Sequence, residues 1–177
     1  MMRRWVEDAL GILGHFAVGF AAKPAAPRVP LFLLLLATMS LDFLFMALAY
    51  CGVNDPASWS HGLFMSAVWS IATAVLMGAI YRDRRAGIVV GAMIAGHWVL
   101  DLVSHPIPFS SFSWRTWKWD YGQPLSPDLP VLFGNSPRMG FGLYNRMSAV
   151  EATLLEAAML ALGILIYVRY RKNRTAS

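Results

Sequence analysis

The long apolar stretches of this 177-residue chain contain no lysine and no arginine, although acidic residues and histidines interrupt them. A carboxylate at the centre of a membrane helix costs roughly 2.5–3.5 kcal/mol on insertion scales, so each one requires a partner or a function. Because all fifteen Lys and Arg lie outside the apolar cores, the usual basic partner is excluded. Histidine, a proton or a metal ion is left as the compensating group. The residues concerned are Asp42, His61, His97, Asp101 and Glu156.

Cysteine and charge are also scarce. Cys51 is the only cysteine, which excludes an internal disulfide and a cysteine-based zinc site. Charged residues make up 14% of the chain, against about 25% in a typical soluble domain, and 57% of the residues are hydrophobic. The net charge of +5 does not predict nucleic-acid binding, because the bases are grouped at the ends of apolar segments, where they suit lipid headgroups. Composition therefore predicts an integral membrane protein.

Four apolar segments are long enough to cross the roughly 30 Å hydrocarbon layer, which takes about 20 residues of helix. A fifth, near the N-terminus, is shorter and is interpreted as a span, a partial insertion or an interfacial helix, with a cleavable signal peptide as a further alternative. The five predicted helices cover residues 6–22, 31–53, 61–81, 86–104 and 149–168. We expect one all-α polytopic membrane domain over residues 1–177, built as a bundle of four or five transmembrane helices.

Basic residues predict how the bundle is oriented, because short cytoplasmic loops collect Lys and Arg. The loop with Arg82, Arg84 and Arg85 and the tail after Val168 are therefore predicted to be cytoplasmic. We expect a multi-pass protein of the plasma (inner) membrane with a cytoplasmic C-terminus. The loop over 105–148 is rich in Pro and aromatic residues and falls on the extracytoplasmic side, as an interfacial anchor or as a lid.

The strongest local pattern is His97, Asp101 and His105, because residues four apart are neighbours on one helix face. An imidazole and a carboxylate on adjacent turns can bind one divalent ion, or the carboxylate can hold the second nitrogen of the imidazole. His105 precedes Pro106, which biases it away from helical geometry. It is interpreted either as a ligand or as a helix C-terminal cap.

Other polar residues of the spans are predicted to lie at a similar depth, in the outer leaflet. His15 lies between small residues that let another helix approach, and His61 is predicted to begin a long helix that Ser60 caps. Asp42 is either a ligand or a protonated carboxyl bonded to a neighbouring helix. Glu151 and Glu156 are not chosen as ligands. The predicted metal ligands are His15, Asp42, His61, His97, Asp101 and His105, with Asp42 and Asp101 as the catalytic candidates.

Four short motifs are similar to those of a known family. They are Gly14-His15-Phe16, Ser40-Leu41-Asp42, Ser60-His61-Gly62 and the stretch from His97 to Ser104. In this order they resemble the early Gly-His, Pro-Asp-x-Asp, Thr-His-Ser and His-x-x-x-Asp-x-x-Thr elements of the LexA-binding, inner-membrane-associated metal-dependent hydrolase family, the YdjM-like group. Ser40, Pro56 and Gly62 depart from that pattern, which leaves fewer potential ligands and implies one ion rather than two, or none.

The residues and the resemblance together lead us to expect a metal-dependent hydrolase that acts on a lipid or a lipid-linked phosphate or ester. The metal is a divalent ion, with zinc favoured by the imidazole content and manganese, iron or magnesium as alternatives. Membrane lipids are the expected partners. The alternatives are a small proton- or cation-coupled transporter and a non-catalytic membrane scaffold. Against transport, the chain shows no inverted repeat and no span broken by Gly or Pro.

Overall fold

The structure is a computed structural model that describes residues 12–53, 56–104, 112–113, 118–119 and 143–175. Within these ranges the architecture is all-helical apart from one two-residue β-ladder. The helices are α1 Ile12–Ala22, α2 Leu31–Thr38, α3 Ser40–Tyr50, α4 Pro56–His61, α5 Leu63–Tyr81, α6 Arg84–Ser104 and α7 Ala149–Thr175. A 3₁₀ turn, Leu143–Arg146, precedes α7, and β1 Phe112–Ser113 pairs antiparallel with β2 Lys118–Trp119.

Three to four of these elements are candidate membrane spans. Phe64–Tyr81, Arg84–Ser104 and Ala149–Thr175 are each long and apolar enough to cross a bilayer, and α2 with α3 forms a fourth span if the bent pair is taken as one. Large side chains on α5 face outward, with Ile71 65% and Val75 68% exposed, as expected of a helix surrounded by lipid. The membrane character predicted from composition therefore agrees with the fold.

The predicted continuous helix over 31–53 is wrong, because the chain bends by 58° between α2 and α3. Met39 leaves helical geometry at the bend, with φ −109° and ψ 5°. On either side of it, the Thr38 hydroxyl donates to the Leu35 carbonyl at 2.8 Å and the Ser40 hydroxyl donates to the Ala37 carbonyl at 2.9 Å. Such side-chain bonds compete with the helical ladder and bend helices. No Gly or Pro lies at the bend, so the usual sequence signal is missing.

The predicted helix over 61–81 also begins elsewhere. Gly62, with φ −57° and ψ 140°, separates α4 from α5, so His61 ends a short helix and does not begin a long one. The predicted Ser60 cap is also wrong, because the N-cap of α5 is Gly62, which has no side chain that could form a cap bond. The helix predicted at 86–104 begins two residues earlier, at Arg84, and that predicted at 149–168 continues to Thr175.

α5 and α6 form an antiparallel hairpin in which small residues allow the two backbones to approach closely. They are joined by a tight turn in which Arg82 has a φ of 48° and the Asp83 carboxylate accepts from the Arg85 and Ala86 N–H groups at 3.0 and 3.3 Å. A Cβ atom on Gly91 would lie only 2.6 Å from the Ser70 carbonyl oxygen and 2.7 Å from the Ala74 Cβ. Small residues four apart are the usual device for such packing in membranes.

The apolar core lies where α1, α2 and α6 meet. At this end of the bundle Arg28, in the loop between α1 and α2, lies 3.6 Å from Asp83 in the turn between α5 and α6. The loop with Arg28 and the turn with Asp83 therefore lie at the same end of the bundle. The buried residues are Ala22, Ala26, Val29, Leu34, Ala37, Ala86, Val90 and Met93.

The α5–α6 contact predicts that replacing glycine by alanine has different effects on stability at two positions of α6. Gly91→Ala should destabilise the protein by about 1–3 kcal/mol, because the added methyl group overpacks the interface. Gly96→Ala is the matched control, since no atom lies within 4 Å of a Cβ built there. It should leave stability unchanged or raise it slightly, because alanine favours helix. Thermal melting in detergent would measure both, and equal melting temperatures for the two variants would contradict the packing argument.

Candidate metal centre

Five of the six predicted ligands meet at one place in the bundle. α1 contributes His15, α3 contributes Asp42, α4 ends in His61, and α6 contributes both His97 and Asp101. Two overlapping groups could hold an ion, one formed by Asp42, His61 and His97 and the other by His15, His97 and Asp101. The sixth predicted ligand, His105, lies outside the described residues.

The predicted pairing on α6 is present. Nε2 of His97 lies 3.1 Å from Oδ2 of Asp101, one helical turn further along. Both side chains contact other elements, since Asp101 lies 3.6 Å from His61 of α4 and His97 lies 3.6 Å from Asp42 of α3. The spacing of four on one helix face therefore brings these two donors together without any help from other elements.

A backbone carbonyl fixes the proton of His97. Nδ1 of this ring lies 2.6 Å from the Thr38 carbonyl oxygen, which can only accept a hydrogen bond. Nδ1 therefore carries the proton, and the neutral ring has its lone pair on Nε2. Thr38 is the last residue of α2, where helical carbonyls lack a partner within the helix. The bend at Met39 is thus what supplies the acceptor.

A short chain of hydrogen bonds fixes the position of the proton on the His61 ring. Nδ1 of His61 lies 2.7 Å from the Ser60 hydroxyl, which in turn lies 2.9 Å from the Pro56 carbonyl oxygen. Because the hydroxyl has one proton and the carbonyl can only accept, Ser60 donates to Pro56 and accepts from Nδ1–H of His61. The neutral His61 ring therefore also carries its lone pair on Nε2.

The consequence is a set of acceptors that face one another. The two Nε2 atoms are 3.3 Å apart. Oδ1 of Asp42 lies 3.3 Å from Nε2 of His61 and 3.6 Å from that of His97. Oδ2 of Asp101 completes the group at 3.6 Å from His61. Lone pairs repel at such distances, so the arrangement requires a cation in its midst, either a proton or a metal ion.

The distances between neighbouring donor atoms can be compared with those around a metal ion. A tetrahedral ion holds its ligand atoms about 1.63 bond lengths apart, which is about 3.3–3.4 Å for zinc bonds of about 2.0–2.1 Å. The five separations given above run from 3.1 to 3.6 Å. Octahedral magnesium with similar bonds requires only about 2.9 Å between neighbouring ligands. The residues present fit a tetrahedral ion such as zinc better than magnesium.

His15 lies beside this group of four. Its Nε2 is 3.4 Å from Oδ1 of Asp101, the oxygen that does not face His97, and its ring lies 4.1 Å from the His97 ring. Through these contacts His15 is placed to orient the Asp101 carboxylate, as outer partners of metal ligands do, or to bind an ion together with it. His15 thus lies at the cluster, and its role as a metal ligand stays a prediction.

The two carboxylates differ in how far they are exposed. The side chains of His61 and His97 are 2% and 1% exposed and that of Asp101 is 14% exposed, whereas that of Asp42 is 41% exposed. Asp42 therefore lies at the open face of the cluster, and Asp101 lies among the three imidazoles.

Some residues that hold the cluster were not predicted. The indole N–H of Trp98 donates to the His61 carbonyl at 2.8 Å and so holds the end of α4 against α6. Thr38 contributes only its carbonyl, which no residue pattern reveals. The sequence signal that did exist for Trp98 was its position next to His97.

A separate buried acid lies near His15. Glu156 in α7 is 2% exposed and accepts a hydrogen bond from the Gly14 N–H at 2.6 Å and another from the Tyr144 hydroxyl. Burial and the Glu156 carboxylate raise the pKa of the Tyr144 phenol. Glu156 thus has its partners in hydrogen bonds with Gly14 and Tyr144. It joins α7 and the 3₁₀ turn to the start of α1.

No protein-family model, curated protein or solved structure matches this chain. The similarity to the YdjM-like family, which depends on four short motifs, therefore stays a prediction. The chemistry of the site has to be argued from its own geometry.

Removal of the Glu156 carboxylate should destabilise the protein but leave every donor atom of the cluster in place. Glu156→Ala leaves the buried Gly14 N–H without its acceptor, which costs about 1–3 kcal/mol, and also removes an acceptor of the part-buried Tyr144 hydroxyl. Glu156→Gln keeps one carbonyl acceptor and should cost less than Glu156→Ala. Melting temperatures of the two variants would measure the difference, and a Glu156→Ala protein as stable as the native one would show that these bonds do not stabilise the fold.

Proposed function

We propose that this protein is a membrane-bound metal-dependent hydrolase whose His/Asp cluster holds one divalent ion, with zinc favoured. The observation that carries the proposal is the pair of imidazoles whose Nδ1 protons are donated elsewhere. Their Nε2 lone pairs and Oδ2 of Asp101 therefore converge, with separations of 3.1 to 3.6 Å that suit three ligands of a tetrahedral ion. The order of the four motifs that resemble the YdjM-like family supports the same assignment.

The difference in exposure divides the roles of the residues. His61, His97 and Asp101 are less exposed than Asp42 and would hold the ion, with His15 orienting Asp101 through its second oxygen. A divalent ion in this position supplies a Lewis acid that polarises a phosphoryl or carbonyl oxygen. Asp42 is exposed enough to meet water and substrate, so its carboxylate is assigned as the general base that accepts the proton of the attacking water. Catalytic zinc sites commonly use three protein ligands and keep one position open.

The substrate class follows from the surroundings of the cluster. His97 and Asp101 belong to a candidate span, and Asp42 belongs to the bent pair. A scissile bond that reaches them must lie at or within the membrane, which favours a lipid or a lipid-linked phosphate or ester. If the basic loops at the Arg28–Asp83 end are cytoplasmic, the cluster faces the extracytoplasmic leaflet of the inner membrane and the C-terminus is cytoplasmic.

A second function, proton- or cation-coupled transport, is favoured by the bend at Met39. Transporters place coupling-ion sites at interrupted helices, whose freed carbonyls face the site. Here the Thr38 carbonyl at the interruption contacts a ring of the cluster. Proton or cation flux in liposomes that Asp42→Asn abolishes, in a protein that hydrolyses nothing, would favour this function over hydrolysis.

Metal content should depend on the cluster and not on buried acids in general. Near-stoichiometric zinc is expected in the native protein, and His97→Ala and Asp101→Asn should lose most of it, because each removes a donor. Glu156→Gln makes the same carboxylate-to-amide change outside the cluster and should keep its metal. Elemental mass spectrometry on detergent-purified protein measures this. A native protein that folds and stays metal-free after incubation with zinc, manganese, iron and magnesium would contradict the proposal.

The tautomer of His61 should affect zinc affinity. Ser60→Ala removes the acceptor of Nδ1–H, and loss of such an outer partner typically weakens metal binding about 10–100-fold. Ser70→Ala is the matched control, because the Ser70 hydroxyl is buried but donates to the Ser66 carbonyl, away from the cluster. Competition with a chromogenic chelator would give both dissociation constants, and equal values would show that Ser60 does not set the His61 proton.

Asp42→Asn should separate catalysis from metal binding. With Asp42 as general base, the variant keeps its metal and hydrolyses about 10²–10⁴-fold more slowly. The measurement is product formation by mass spectrometry from phospholipids and polyprenyl phosphates in nanodiscs. Loss of the metal together with the activity would instead make Asp42 a fourth ligand, and such closed sites are structural. A metal-loaded native protein that hydrolyses no lipid would contradict the hydrolase assignment and favour a non-catalytic membrane scaffold.

A further inference from the structure

A cavity of about 130 Å³ has His15, a residue of the candidate metal centre, in its wall. α6 lines it with Leu100 and Val103, and α7 lines it with Leu155 and Met159. Leu143 of the 3₁₀ turn closes another part of the wall. Helices from two candidate spans thus enclose an apolar space that touches a residue of the candidate metal centre.

The polar groups in the wall leave little for a charged ligand to bind. Tyr144 donates to Glu156, and Glu156 also accepts from the Gly14 N–H, so these groups already bond one another. No Lys or Arg lies among the described residues of the lining. An anionic headgroup would meet a carboxylate here and no cation, and its desolvation would be uncompensated. The chemistry of the wall therefore selects a hydrocarbon.

The size of the cavity matches a short stretch of chain. A dry apolar cavity of about 150 Å³ holds a molecule of the size of benzene, so this one has room for about six carbons. Of the wall residues, His15 is the one beside the cluster, since its Nε2 lies 3.4 Å from Asp101 and its ring lies 4.1 Å from that of His97. A lipid whose headgroup lies at the cluster would therefore place the first carbons of a chain in the cavity.

From this position we infer that the cavity binds the first carbons of one hydrocarbon chain of a membrane lipid, next to its headgroup. The inference rests on the proposed function in taking this lipid to be the substrate. Chain binding itself needs no metal, because no described wall residue other than His15 belongs to the cluster. The cavity would then determine which chains are accepted at this position, while the cluster acts on the headgroup side.

Photolabelling tests this placement directly. The protein in phosphatidylcholine nanodiscs is irradiated with palmitic acid that carries a diazirine in the third of the chain nearest the carboxylate, and with the isomer labelled at the terminal carbon. Adducts of the first isomer should concentrate on the wall residues of α6 and α7. The outward face of α5, with Ile71 and Val75, reports labelling by bulk lipid.

Two variants that fill the cavity are each compared with a control variant on the same helix. Leu155→Trp fills the cavity from α7 and Val103→Trp fills it from α6, so each should exclude the chain and lower wall labelling about tenfold, which corresponds to about 1.4 kcal/mol of binding. Leu154→Trp and Val99→Trp place the same indole on the same helices at exposed positions outside the wall, and should leave labelling unchanged. Melting temperatures show which variants fold, and one folded pair is sufficient.

The outcomes separate this inference from the proposed hydrolase. Wall adducts that persist in His97→Ala, in a protein that hydrolyses no lipid, would support the chain site while the hydrolase fails. Hydrolysis that Leu155→Trp leaves unchanged, with adducts spread as evenly over α5 as over the wall, would overturn the chain site while the hydrolase stands. Wall labelling by the terminal isomer alone would also overturn it, because the chain would then enter in the opposite direction.

Discussion

Two buried histidines donate their Nδ1 protons to acceptors outside the cluster, and the remainder of the site depends on this arrangement. His97 donates to a backbone carbonyl and His61 to a serine hydroxyl, so neither ring can turn its proton inward without losing a bond. In water such a choice of tautomer would be nearly free. In a buried site each lost bond costs the full desolvation of the group, so the lone pairs stay directed toward each other and toward two carboxylates. A centre that attracts a cation is the result.

The helices are interrupted at the two positions that bring His61 and the acceptor of His97 to the cluster. The bend at Met39 releases the Thr38 carbonyl for His97, and the interruption at Gly62 lets a short helix carry His61 to the cluster. Both interruptions are compensated. Hydroxyls of Thr38 and Ser40 bond to the carbonyls of α2, and the Trp98 indole bonds to the His61 carbonyl at the end of α4. Irregular backbone in a membrane protein is tolerated where protein groups satisfy it in this way.

Close packing of α5 on α6 and of α7 on α1 then gives the cluster its surroundings. Gly91 lies against Ser70 and Ala74, and Gly163 lies against the backbone of Ala17, so neither contact leaves room for a side chain. Asp42 is the most exposed residue of the cluster, with its side chain 41% exposed, and an apolar cavity includes His15 in its wall.

The amino-acid sequence by itself determined the membrane character and the residues of the cluster. Long apolar stretches without Lys or Arg exclude the ordinary partners of a buried carboxylate, and the spacing of His97 and Asp101 puts both on one helix face. Tertiary structure alone decided that Asp42 is open while Asp101 is enclosed, that Glu156 is held by Gly14 and Tyr144, and that His61 ends one helix and does not begin the next. These features depend on which backbone carbonyls and hydroxyls meet across helices that are distant in the chain. Local residue patterns do not predict such contacts, because every residue has the same backbone carbonyl group.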